Sequence, residues 1–184
     1  MRLTELFNLI KKDIERWYFY ANIQRKASYI EIIKNIFNPR FMPVFLYRLS
    51  HFFYKKRLMF LAKIFSMINF IIFGIEITIK CEIGPGLIFP HTQGTVIGSI
   101  KIGKNALIYH GVTIGAQRMD VNFDPTTRPI IGDNVIMGAG SKILGAIHIG
   151  NNVTIGANAV VINDVKDNTT VVGIPAREIE KSKI

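Results

Sequence analysis

Residues 131–161 read IGDNVI-MGAGSK-ILGAIH-IGNNVT-IGANAV-V, so Ile131, Met137, Ile143, Ile149, Ile155 and Val161 fall six apart without a break. Upstream, Ile102, Ile108 and Ile114 keep that spacing, as do Ile77, Ile83 and Phe89. Glycine follows the apolar residue at Gly84, Gly103, Gly115, Gly132, Gly138, Gly150 and Gly156. Six steps turn an α-helix by roughly 240°, which scatters these side chains over different faces. Six is also a multiple of the strand period of two, so the same residues can share one face of a strand. Glycine after each apolar residue breaks the strand and permits positive φ. The predicted architecture is a stack of short strands joined by turns, each rung burying one apolar side chain toward a common axis. An ordinary β-sandwich with accidental spacing would not keep the beat unbroken from residue 131 to 161.

The chain has 184 residues, is 49% hydrophobic and carries a formal charge of +10. That charge is uneven: residues 1–80 hold 14 Lys and Arg against 5 Asp and Glu, whereas residues 81–184 hold 9 against 8. Cys81 is the only cysteine, which excludes an internal disulfide and suits a reducing compartment. Lys11, Lys12, Asp13, Glu15 and Arg16 interrupt the first apolar stretch, so the N-terminus does not read as a secretory signal. Leu58 to Ile79 is apolar enough to raise a membrane-spanning reading. Lys63, Asn69 and Glu76 within it favour a buried helix ending near Gly74, and hence a cytoplasmic protein.

Residues 1–73 read as helices. Leu6, Leu9, Ile10, Ile14 and Trp17 recur at helical spacing. Ser28 and Glu31 form a capping box ahead of Ile32, Ile33 and Ile36, which Asn38-Pro39 ends. A third helix is expected from Pro43 to Tyr54, followed by the basic cluster Lys55, Lys56 and Arg57. Aromatic residues interleave with basic ones here, a combination that suits contact with an anionic membrane surface at its inner face. A packed cap with solvated basic side chains is the plainer reading. No nucleic-acid recognition motif accompanies the charge, so no nucleic-acid partner is expected. Residues 74–175 are expected to form the β-helix and 176–184 a C-terminal tail.

Two breaks in the beat point to chemistry. Phe89 and Ile102 are thirteen residues apart, one more than two rungs, so an extra residue is expected near His91. Ile114 and Ile131 are seventeen apart, so an extended loop, about 115–130, must leave the coil; it carries Gln117, Arg118, Asp120, Asp124 and Arg128. His110 lies nineteen residues after His91, close to one three-rung turn. His148 reads as a turn or surface residue and His51 as part of the helical cap. No metal is expected, because the histidines lack a paired His-x4-His spacing.

The span Ile77 to Arg177 resembles the serine acetyltransferase group of hexapeptide-repeat acyltransferases. The resemblance rests on Glu82-Ile-Gly-Pro-Gly-Leu87, Pro90-His-Thr-Gln-Gly-Thr-Val-Ile-Gly98, His110-Gly-Val-Thr-Ile-Gly115, Ile136-Met-Gly-Ala-Gly-Ser-Lys-Ile-Leu-Gly145 and Val172-Gly-Ile-Pro-Ala-Arg177. It implies a left-handed parallel β-helix assembling as a homotrimer, with two trimers pairing through the helices as an open alternative. It also implies acetyl-CoA in the groove between neighbouring coils and direct transfer to an acceptor hydroxyl. On that resemblance His91 is the general base and His110 assists catalysis or binds the acceptor. Ala139 and Ala157 line the cofactor arm, and Lys142 and Arg177 are candidates for its phosphates. The loop would reach the active site of a neighbouring subunit.

Three positions depart from the serine enzymes. Pro90 replaces an aspartate before the catalytic histidine, Arg128 replaces a histidine in the loop, and Asn105 stands where an aspartate would orient the base. A serine ammonium seeks a carboxylate partner, and the one at position 90 is gone. The expected acceptor is therefore a carbohydrate, as in colanic-acid-type O-acetyltransferases, bound with help from Arg128, Asn105 and Gln117. Serine acetylation for cysteine synthesis and a non-catalytic trimeric scaffold are the alternatives.

Overall fold

The computed structural model describes residues 1–179; residues 180–184 of the expected tail lie outside the described residues. Four helices come first: α1 (Leu3–Tyr20), α2 (Tyr29–Ile36), α3 (Met42–Lys55) and α4 (Met59–Phe73). Ser28 caps α2 by accepting from the Glu31 amide, with the Glu31 side chain reaching back to the Ser28 amide. Leu6, Ile10 and Ile14 of α1 pack with Ile32 and Phe41 into a small core of their own. Gly74, at φ 59°, stops α4 in the left-handed conformation that glycine adopts without strain. The α4 helix does run into the first rung as expected, but it is not buried. Only Ala62 and Asn69 are buried along it, because α3 covers one side and, among the described residues, no helix or strand packs on the outward face of Met59, Phe60, Met67 and Ile71.

The strands follow as β1 (Ile75–Ile77), β2 (Glu82–Ile83), β3 (Thr95–Ile97), β4 (Lys101–Ile102), β5 (Leu107–Ile108), β6 (Thr113–Gly115) and β7 (Ile130–Ile131). Beyond them come β8 (Ile136–Met137), β9 (Lys142–Leu144), β10 (His148–Ile149), β11 (Thr154–Ile155), β12 (Val160–Val161), β13 (Thr170–Val172) and β14 (Arg177–Ile179). They stack into three parallel sheets, β1-β3-β6-β9-β12, β2-β4-β7-β10 and β5-β8-β11-β13, the faces of a left-handed β-helix. Register places Ile77, Ile97, Ile114, Ile143 and Val161 in one inward column and Ile83, Ile102, Ile131 and Ile149 in a second. Ile108, Met137, Ile155 and Val171 form the third, and all are buried. The C-terminal segment is more than a tail: β14 pairs antiparallel with β13 and closes that sheet.

Two expectations change in detail. The break near His91 is two residues long, because Ile97 is inward: eight residues separate Phe89 from Ile97, and five separate Ile97 from Ile102. The short step is held by the Ser99 hydroxyl, which donates to the Pro129 carbonyl at 2.7 Å. The glycines after the inward residues also serve a different purpose from the one expected. None of the seven has positive φ; six of them allow coils to approach, as at Gly138, where a Cβ would sit 2.6 Å from the Ala157 nitrogen, whereas Gly115 has open space around it. Positive φ falls instead on turn residues such as Asn105, Asn134, Asn152 and Asn168.

Cap and coil are joined by a buried ion pair. Arg48 of α3 donates to both Asp13 carboxylate oxygens, at 2.8 and 2.9 Å, and to the carbonyls of Ile83 and Gly84. Asp13 Oδ1 also accepts from the Gly86 and Leu87 amides, each at 2.8 Å. Each guanidinium nitrogen and both carboxylate oxygens are therefore engaged, which is the condition under which buried charge is tolerated.

Candidate active site

Each coil has three sides, so turn residues fall on three separate corners. His110 lies two residues after inward Ile108 and His91 two after Phe89, and Phe89 leads into the same sheet through the Ile88–Leu107 bridge. The two rings consequently meet, with centroids 5.8 Å apart at an interplanar angle of 82°. Both histidines are exposed to solvent. Continuing up the same corner, Ala139 follows Met137 and Ala157 follows Ile155 at the equivalent position. The Gly140 amide donates to the His110 carbonyl and the Asn158 amide to the Ala139 carbonyl, which ties this column together. A histidine pair thus heads a track floored by small side chains.

The two extra residues lie just after His91. Thr92 donates its hydroxyl to the Phe73 carbonyl at 2.8 Å, and the Gly94 amide donates to the Gly74 carbonyl at 2.9 Å. The insertion therefore fastens the histidine segment to the end of α4. A cavity of about 400 Å³ opens there, lined by Arg40, Ile72, Phe73, Pro90, His91 and Gln93 among others. Arg40 and Thr92 were not singled out from sequence; the long step after Phe89 is the signal that marks Thr92, whereas nothing local marks Arg40.

Lys142 lies beside this corner, but its ammonium is occupied. It donates to the carbonyls of Gly111 and Gly140, at 2.8 and 2.7 Å, and so braces the turns next to His110. Two of its three ammonium protons are thereby committed to backbone carbonyls. Arg177 is exposed on β14 at the far end of the coil, where its guanidinium donates to the neighbouring Ala176 carbonyl.

The three residues expected at the acceptor do not join the histidines within the chain. Asn105 stands at another corner, three residues after inward Ile102. Its amide donates to Asn134, Asn134 donates to Asn152 and Asn152 to Asn168, each at 2.9 Å. It is the first rung of an asparagine ladder and lies apart from His91 and His110 within the chain. Arg128 is also committed: its guanidinium holds Asp120 at 2.8 Å and the Gly98 carbonyl at 2.9 Å, and lies 4.1 Å from the Phe123 ring centre. Burial opposes ionisation of Asp120, but the Arg128 bond and charge together with the Asp124 and Asn122 amides outweigh it, and its carboxyl stays below the usual range. Within the chain Arg128 therefore staples the loop to the coil. Gln117 is exposed on the loop against Gly145, again away from the histidine corner. His148 is exposed on β10, and His51 is buried in the cap with Nδ1 3.0 Å from the Ile79 carbonyl oxygen.

Comparison with known proteins places this geometry in context. Residues 128–163 match the family "Bacterial transferase hexapeptide (six repeats)". The chain is 44% identical over 138 residues to a serine acetyltransferase of Helicobacter pylori strain J99, covering 74% of this chain and 79% of the relative. It is 35% identical over 174 residues to the serine acetyltransferase of Bacillus pumilus, covering 94% and 77%. Among solved structures, Neisseria gonorrhoeae serine acetyltransferase superposes with a TM-score of 0.81 at 30% identity, covering 97% of this chain and 67% of that one. The Brucella abortus serine acetyltransferase in complex with coenzyme A gives 0.80 at 30% identity, covering 96% and 68%.

Proposed function

The chain belongs to the serine acetyltransferase family of hexapeptide-repeat transferases, and from that premise we propose that it is a cytoplasmic enzyme moving an acetyl group from acetyl-CoA to the hydroxyl of serine. The observation that carries the reading is the column at one corner: His91 against His110, then Ala139 and Ala157. An alcohol is a poor nucleophile, so a base must take its proton as it attacks the thioester. Neutral imidazole suits that task near pH 7. In this reading His91 accepts the hydroxyl proton and returns it to the departing thiol, so that protons balance over the cycle. His110, one coil above, contacts the acceptor or holds the His91 ring in place.

The track beyond the histidines fits the extended arm of acetyl-CoA. A side chain larger than alanine at positions 139 and 157 would fill it. Three coil steps at roughly 4.8 Å each carry the track roughly 15 Å, toward exposed Arg177, which then meets the phosphates. Lys142 contributes by fixing the turn carbonyls beside His110. In the trimer that the fold implies, the loop with Gln117 and Arg118 reaches the histidine corner of a neighbouring copy. That would explain why these residues lie apart from the histidines within one chain.

The relatives favour serine over the carbohydrate acceptor expected from the sequence. The carbohydrate remains a second reading because of one local feature: Pro90 precedes His91 and offers no carboxylate to an ammonium. The deciding experiment follows thioester consumption by the full chain with free serine against a panel of sugars and oligosaccharides. Turnover with serine alone supports the first reading, and turnover with a sugar alone supports the second. Hydrolysis-level consumption with every acceptor, together with no binding of acetyl-CoA, would return the protein to a scaffold.

A further inference from the structure

The α4 helix leaves one face uncovered. At 100° per residue, Met59, Phe60, Lys63, Met67, Phe70 and Ile71 fall within roughly 120° of arc, and all six are exposed. Phe60 is 77% exposed and Ile71 69%. Buried Ala62 and Asn69 lie on the opposite side, where the Ala62 carbonyl accepts from Ser50 and the Asn69 amide donates to the Pro43 carbonyl. The orientation of the helix is therefore set by α3, and its outward face is a stripe of large apolar side chains. A continuous apolar stripe of this kind on a surface marks a contact site.

Charge frames the stripe. No Asp or Glu occurs from Lys55 to Ile75, while Lys55, Lys56, Arg57 and Lys63 all do. Lys56 and Arg57 sit exposed at the turn into α4. At the other end, Arg40 lines the cavity that also holds Ile72, Phe73 and His91. Lys63 stands within the stripe, and its aliphatic stem can lie along apolar surroundings while its ammonium reaches outward. The groove on its flank brings one carboxylate, Glu76, beside Lys63. No helix is long and apolar enough to cross a membrane among the described residues.

We infer that the α4 face docks on an anionic lipid surface, with the stripe entering the headgroup boundary and the flanking Lys and Arg meeting lipid phosphates. An apolar helix face with basic flanks is the arrangement that binds in the plane of such a surface. A second copy of the chain is the less suitable occupant. Residues 1–80 carry 14 basic against 5 acidic side chains, so two caps face to face would set like charge against like charge.

The test is flotation of the full chain with phosphatidylcholine vesicles containing about 30% phosphatidylglycerol, compared with phosphatidylcholine alone, at low and high salt. Binding is expected only with the anionic vesicles and should weaken as salt rises. Phe60→Ser with Ile71→Ser, and separately Lys56→Glu with Arg57→Glu, should each lower the bound fraction at least about fivefold. Acetyl-CoA turnover in solution and the helical circular dichroism of these variants should match the unaltered chain, since none of the four residues lines the cavity beside His91. No flotation at low salt would overturn the proposal, as would equal flotation on neutral vesicles. So would light scattering in which the Phe60→Ser, Ile71→Ser variant halves the assembly, because the stripe would then be covered by another copy.

Discussion

Burial lowers the pKa of His51 below its ordinary 6.5, and the Ile79 carbonyl beside Nδ1 only partly offsets this. The unfolded chain therefore takes up this proton first as pH falls, so the contribution of His51 is complete above 6.5 and is lost as pH drops through the folded value. Urea midpoints measured from about pH 8 down to about pH 5 should decline, and His51→Gln should flatten the decline. At the histidine corner the expected effects are kinetic. His91→Ala should lower kcat for acetyl transfer by roughly 10²-fold or more, with the fold intact. Turnover equal to that of the unaltered enzyme would remove His91 from the base role. His91 was legible from its Pro-His-Thr-Gln-Gly context and from the phase break beside it. Asn105 was singled out from the resemblance, and it lies at another corner because one six-residue step advances one side of the coil, not a whole turn. Three residues past Ile102 is a different corner from two residues past Ile108.

Among the elements, the loop between β6 and β7 depends on one side chain. Arg128 binds Asp120 and Gly98 and lies over Phe123. Arg128→Ala should release the loop and speed tryptic cleavage at Arg118 roughly tenfold, through more frequent local opening. Arg128→Lys should restore little, because an ammonium cannot supply the guanidinium fork. The loop itself was legible from the seventeen-residue gap. The use of Arg128 within it was not, because the sequence cannot show that Gly98, thirty residues upstream, lies under the guanidinium. The joint between helices and coil is similar. Asp13→Asn leaves Arg48 buried with a weakened partner and should destabilise the protein by about 3–5 kcal/mol. Replacing both by apolar residues of similar volume should cost far less, and thermal denaturation of the single and double variants measures the difference.

At the level of the whole molecule, the histidine corner and the Gln117–Arg128 loop occupy separate parts of one chain. If neighbouring copies complete each other's sites, inactive His91→Ala protein mixed and reassembled with a loop-deleted variant should recover part of the activity. A trimer holding one copy of each defect retains one intact histidine corner facing one intact loop. No recovery after confirmed subunit exchange would place the whole site within a single chain. The α4 stripe belongs to the same scale. Hydropathy alone made Leu58 to Ile79 look buried, yet only Ile75 and Ile77, which enter the coil, and Ala62 and Asn69 of α4 are buried in it.

The architecture was written in the sequence because burial in a β-helix is periodic. Every inward column from Ile77 to Val161 obeys strand parity, and the two departures from the beat lie where the chain leaves the coil or bends around His91. The small residues of the histidine corner and the capping box at Ser28 were readable for the same reason, since each depends on local spacing. Tertiary structure alone decided which turn residues share a corner, that Lys142 and Arg128 spend their charges on backbone carbonyls and Asp120, and that one face of α4 stays open. Those outcomes depend on neighbours tens of residues away, brought together by the stacking of coils and the seating of the helical cap. No local pattern in the chain encodes such neighbours.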